Sequence, residues 1–289
     1  GSGRGAAFGS ALCNILAAAG NEVHREYYIN DGVNSEQMRL FAESVAALLR
    51  GEPVPDNGYK GDYVVAVAEA LKGTIPTDIK LASQDLMLQA QARDLATFGV
   101  NFDTWFSEQS LHDSGVVAQR LDELTAKGVA DEEPFRTKVK IVKGKIEETE
   151  IEPQETVKDE DDAEGSGKTL WLRSTKFGDD QDRVLRRRDG RLTYISSDVA
   201  YHADKFNRPE NADKLITVLG PDHHGYIGRL NAVVAALLQT PDQTDEEATA
   251  TAREKLEVVI FQVVRFLKEG KPAPMRKRDG NIYALIDLI

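Results

Sequence analysis

The chain has 289 residues, 41% of them hydrophobic and 29% charged, a balance that supports a large soluble core. Its formal charge of −12 argues against nonspecific nucleic-acid binding, because phosphate contacts need clustered Lys and Arg. A single cysteine, Cys13, excludes an internal disulfide, and no apolar run reaches the ~20 residues of a membrane span.

Gly5 to Ala19 is rich in Ala, Leu and Ile and reads as a helix entered from a Gly-rich turn and stopped at Gly20. Cys13 lies within it as a buried, inert thiol. Val23 to Ile29 reads as a strand and Asn30-Asp31-Gly32 as the turn after it. Asn34, with Gln37 three residues on, predicts the cap of a helix carrying Met38, Phe41, Val45, Leu48 and Leu49. The Pro/Gly-rich stretch 51–61 marks a boundary. Two helices follow, about 62–72 and 78–98, the second presenting Leu81, Leu88, Ala92 and Leu95 on one face. Residues 100–106 alternate as a short strand, and 116–127 form another helix ended by Gly128.

Lys138 to Ile141 and Ile146 to Ile151 are expected to form a solvated hairpin, followed by an acidic linker over 155–167. The Gly165-Ser166-Gly167-Lys168-Thr169 run is not a phosphate loop: Asp162 stands where its first glycine belongs, and a strand follows it. Strands are expected at 169–173, 183–187 and 192–195, the last two joined by a turn at Asp189-Gly190. Leu215 to Gly220 is a buried strand. A final helix over about 246–269 is expected to carry Leu256, Val259, Ile260, Val263, Val264 and Leu267. The fold class is therefore α/β, a doubly wound parallel sheet with a helical insertion and a charged loop insertion. Both ends lie within continuing patterns, and the chain is expected to be a piece of something longer.

Three segments carry chemistry. Asp222-His223-His224-Gly225-Tyr226 follows the buried strand directly, at the place where open parallel sheets bind ligands. Gly220 and Gly225 would let backbone approach a ligand there. The three polar side chains suit a metal site, histidines packed under a helix start, or a nucleotide or substrate contact. Tyr194 and Asp198, four residues apart, suit a guanidinium: bidentate bonds from the carboxylate, with a ring or phenol from the other side. A helix-capping Asp beside a core Tyr is the plainer alternative. Met275-Arg276-Lys277-Arg278-Asp279-Gly280-Asn281 is a basic loop suited to a polyphosphate, or an ordinary solvated turn.

In order and spacing these segments resemble the catalytic core of bacterial arginyl-tRNA synthetases, class I aminoacyl-tRNA synthetases. Gly3-Arg4-Gly5-Ala6-Ala7, Glu26 to Asp31, Phe102 to Glu108, Leu170 to Thr175, Gly178 to Val184, Gly220 to Tyr226 and Met275 to Asn281 carry the resemblance. It implies a Rossmann-like catalytic domain in two parts, 1–50 and 99–289. A helical insertion at 51–98 and a charged loop at about 131–168 interrupt it, and the N-terminal and anticodon-binding domains are absent. It implies ATP-dependent activation of L-arginine, with Mg2+ accompanying ATP, and transfer to the 3′ end of tRNA by a cytoplasmic, monomeric enzyme without membrane contacts. Tyr194, Asp198 and Asp222 would recognise arginine, with the ATP ribose an alternative partner for Asp222. Gly220, His223, His224, Met275, Gly1 and Ser2 would line the ATP site. Lys277 and Arg278 would stabilise the pyrophosphate.

Two departures stand out: Ser2 occupies the last position of the family's His-x-Gly-His signature, and Arg276 replaces the serine of the second signature. A catalytically silent arginine- or nucleotide-binding paralogue and a metal-dependent phosphoesterase built on Asp222, His223 and His224 are the competing readings.

Overall fold

The computed structural model describes residues 2–32, 35–73, 76–133, 137–142, 145–150, 168–264, 267–268, 270–272 and 284–289. The expected acidic linker and the basic loop from Met275 to Asn281 lie outside the described residues, as does Gly1. The architecture is mixed α/β with two parallel strand pairs. The chain divides into two compact units, residues 1–107 with 261–289, and residues 108–260.

The first unit opens with α1 (Ser2–Ala18), which Gly20 terminates at φ +92°. Strand β1 (Glu26–Ile29) pairs in parallel with β2 (Thr104–Ser107). Facing aromatics lock this register: Tyr27 lies 4.6 Å from Trp105, and Tyr28 stacks on Phe106. A parallel pair needs a long crossover. Here it consists of α2 (Glu36–Leu49), α3 (Asp62–Leu71) and α4 (Ile79–Thr97).

Helix α2 is capped by Ser35, whose hydroxyl accepts the Met38 amide, one residue later than expected. It buries Phe41 and Val45 on the side where α3 buries Val64, Val67 and Ala68. Helix α4 keeps most of its expected face: Leu95 is buried and Leu88 and Ala92 are half-buried. Leu81 is exposed, while Ile79, Ala82, Leu86 and Met87 pack on the α2–α3 core and Ser83 and Gln84 are buried. Gln84 turns inward because Asp31, buried just past the end of β1, accepts its amide at 2.6 Å and the Ser107 hydroxyl at 2.8 Å.

The second unit holds an antiparallel sheet of β3 (Ala130–Glu132), β6 (Leu170–Leu172) and β7 (Arg183–Arg186), in the order β3-β6-β7. The expected hairpin is present as β4 (Thr137–Val142) paired with β5 (Lys145–Glu150). Helices α5 (Glu108–Asp113) and α6 (Val116–Ala126) precede the sheet. Past β7 the chain turns through Gly190 at φ +87°, makes one antiparallel bridge at Leu192 and enters α7 (Tyr194–Phe206). No strand reaches Ile195. Thr193 and Ser196 donate their hydroxyls to Leu185 O, which staples the helix start onto β7.

Strand β8 (Leu215–Leu219) runs into a 3-10 turn at Pro221–Tyr226, then α8 (Ile227–Leu238) and α9 (Asp245–Lys255). The expected 246–269 helix stops at Lys255. Leu256–Ile260 is strand β9, parallel to β8 in the register Leu215↔Leu256 to Leu219↔Ile260. Val258, Val259 and Ile260 are β-branched and favour a pleated strand, and the partner β8 overrides the helical spacing. In the first unit, β10 (Leu267–Lys268) pairs antiparallel with β11 (Lys271–Pro272). The core of the second unit joins Leu121 and Leu124 of α6, Leu170 and Leu172 of β6, Leu185 of β7 and Val199 of α7 to the Ala/Val face of α8. Beside it, Arg183 makes a buried bidentate pair with Asp179, both bonds at 2.7 Å. Burial alone would raise the Asp179 carboxyl, but the Arg183 bonds and charge outweigh it and hold it below the usual range.

Candidate functional site

Helix α7 carries the site. Tyr194 is its first residue and Asp198 lies one turn on, so both share one face. Asp198 is not a cap: the N-cap is Thr193, whose side chain makes no capping bond. Nor is Tyr194 a core residue, being 68% exposed. The plainer alternative for this pair is thus set aside.

The Asp198 carboxylate accepts the Tyr226 hydroxyl, which comes from the end of the 3-10 turn after β8. The Arg229 guanidinium covers the Tyr226 ring at 4.5 Å, and Lys205 stacks on Tyr201 at 4.1 Å. A second carboxylate, Glu108 at the start of α5, is 5% exposed and bears electrostatically on Asp198. Burial pushes the Asp198 carboxyl up to about 6, and the Glu108 charge adds to the rise; the Tyr226 bond and the Arg229 and Lys205 charges oppose it. A buried carboxylate whose pKa is raised in this way gains from a cationic partner. At neutral pH Asp198 is ionised and would gain a partner. Burial also raises the Tyr226 phenol, with the Asp198 charge and bond adding to it, so Tyr226 stays a donor across the physiological range.

Behind Asp198 sits His202, 2% exposed. Its Nδ1 lies 2.8 Å from the Asp198 carbonyl oxygen, which can only accept, so Nδ1 carries the proton. Nε2 is then a buried acceptor without a partner among the described residues. Burial first, and Lys205 second, pull this imidazole down to about 3.

The segment Asp222-His223-His224 divides its work. All three side chains are exposed on the 3-10 turn, with the His223 ring edge-on to Tyr226 at 6.1 Å. Four residues past Asp222, the same turn delivers Tyr226 to Asp198. Gly220 has an ordinary extended backbone (φ −71°, ψ 167°), and a Cβ on Gly225 would meet only open space. Among the described residues no three His, Cys, Asp or Glu side chains gather closely enough to hold a metal ion. Histidines packed under the helix start are likewise not what is found.

Lys277, Arg278, Met275 and Gly1 lie outside the described residues, and Ser2 is the first residue of α1. Sequence reasoning passed over two members of the site, Glu108 and Tyr226. Both sit inside segments quoted for their resemblance, but their meeting with Asp198 depends on packing between α5, α7 and the 3-10 turn, which no local pattern encodes.

No protein-family model matches the chain. Among curated proteins, the arginine–tRNA ligase of Kineococcus radiotolerans is 36% identical over 297 residues, covering 99% of this chain and 45% of that protein. The Bacillus subtilis ligase is 35% identical over 304 residues, covering all of this chain and 46% of its own. This chain is homologous to the bacterial arginine–tRNA ligases. It spans about half the length of the curated relatives it matches. A Campylobacter jejuni structure assigned as an arginyl-tRNA synthetase superposes with a TM-score of 0.70 at 28% identity, over 99% of this chain and 55% of that one. The Thermus thermophilus arginyl-tRNA synthetase, at 18% identity and a TM-score of 0.54 over 88% of this chain and 44% of its own, shares the fold.

Proposed function

We propose that the chain binds L-arginine and ATP and takes part in ATP-dependent ligation of arginine to tRNA, the reaction for which its relatives are named. The observation that carries this is the buried Asp198 carboxylate, held by the Tyr226 hydroxyl. A guanidinium is planar, permanently charged and rich in donors, and it matches two carboxylates better than a compact ammonium does.

In this reading Asp198 and Glu108 take the guanidinium, and Tyr226 holds the Asp198 carboxylate in place from behind. Tyr194, exposed one turn earlier, closes over the bound side chain. Asp222 contacts the arginine or the ATP ribose from the neighbouring turn. Gly220, His223 and His224 flank the adenosine, Gly1, Ser2 and Met275 border the same nucleotide, and Lys277 and Arg278 neutralise the pyrophosphate. Mg2+ would arrive with the nucleotide, on its phosphates. The arginine carboxylate attacks the α-phosphate and pyrophosphate leaves; a hydroxyl at the tRNA 3′ end then attacks the arginyl carbonyl, and AMP leaves. Positioning and electrostatics, not covalent chemistry by side chains, supply the acceleration. A cytoplasmic, monomeric protein suits this role. Among the described residues no helix is long and apolar enough to cross a membrane.

Calorimetric titration with L-arginine tests the reading. Asp198→Asn is expected to weaken binding by about 2–5 kcal/mol, the usual cost of removing one member of a desolvated charge pair. Unchanged affinity in that variant would remove Asp198 from the site.

A further inference from the structure

Glu108 and His112 stand four residues apart on α5, hence on one face of it, and α5 packs against α7. His112 Nε2 shares a hydrogen bond of 3.1 Å with Ser197 Oγ. Ser197 is 3% exposed and immediately precedes Asp198. Two adjacent residues of α7 therefore face two residues of α5 one turn apart: Ser197 meets His112, and Asp198 feels Glu108. Helix α5 has only six residues, far too few to hold itself in place by backbone bonding alone. Leu111 anchors it to the core, but an apolar contact tolerates sliding. The directional bond from His112 to Ser197 does not.

We propose that His112 is a positioning residue: through Ser197 it fixes the register of α5 on α7 and thereby the spacing between the Glu108 and Asp198 carboxylates. This deepens the arginine-site reading and rests on it for its consequence in binding. Held apart at a set distance, the two carboxylates favour a guanidinium, which is broad, over the ammonium of lysine, which is compact.

The Asp198 carboxyl titration, followed by carbon-detected NMR in the ligand-free chain, reads the spacing directly. Tyr226, Arg229, Glu108 and Lys205 are the charged and titratable groups that bear on it. Of these only Glu108 lies on α5. His112→Ala and Ser197→Ala are each expected to lower the titration midpoint, and the double variant to lower it no further than either alone. His112→Gln, whose amide restores the bond, is expected to return it. In the same variants the preference for arginine over lysine should fall by about ten-fold, the scale of coupling between neighbouring groups. An unchanged midpoint in both alanine variants, or additive shifts in the double variant, would overturn the proposal. A shifted midpoint in a chain that binds no arginine would instead sink the functional reading and leave His112 as the register of α5.

Discussion

At the residue scale, Asp198 and His202 have opposing effects on stability. The Asp198 pKa rises from 3.8 to about 6 on folding, so its contribution is present below 3.8 and is lost as pH climbs through 6. The His202 pKa falls from 6.5 to about 3, so its contribution is present above 6.5 and is lost as pH falls toward 3. Between about pH 4 and 6 the two slopes offset. Asp198→Asn removes one of them, and the variant should gain stability relative to the parent as pH rises across that window. Urea midpoints of both proteins at the two ends of the window check this; equal changes would contradict it. Tyr194 and Asp198 were readable as a pair because a helix turn puts residues four apart on one face. Glu108 and Tyr226 were not, since they reach Asp198 from 90 residues upstream and 28 downstream.

Elements were read well where one local force dominates and poorly where two compete. Gly20 and Gly128 end helices as expected, both in the left-handed region, at φ +92° and +72°. Helix α9 is the instructive failure. Its start is sharply specified by a capping box, Thr244 accepting the Glu247 amide while the Glu247 carboxylate accepts the Thr244 amide. Its end is set by β8, a strand 37 residues before Leu256 gives way to the pairing, and helical spacing alone could not announce it. Thr244→Ala should cost about 1 kcal/mol in chemical denaturation. The Asp179–Arg183 pair behaves differently from exposed ion pairs. Arg183→Met leaves a buried carboxylate without its cation and should cost roughly 3–5 kcal/mol, whereas removing the exposed Glu52 from its pair with Arg50 should change stability far less.

For the whole molecule, the mixed α/β class was legible from alternating strand and helix patterns, and the parallel pairs β1–β2 and β8–β9 bear it out. The three-stranded antiparallel sheet that backs α7 was not paired up in advance, because β3 and β6 are three residues each and lie 37 residues apart. The net charge of −12 bears on partners. Phosphate contacts weaken steeply with salt, so this chain should hold tRNA only weakly at about 150 mM salt while still binding arginine, an amino acid whose side chain carries the opposite charge. Gel-shift titration with tRNA across salt concentrations checks the first half.

The measurement that bears most directly on the site is a side-by-side calorimetric titration with L-arginine and L-citrulline, which differ by a charged guanidinium against a neutral urea of the same shape. In the proposed site Asp198 takes the guanidinium, so arginine should bind tighter by on the order of 10²-fold or more. Equal affinity for the two would contradict the account.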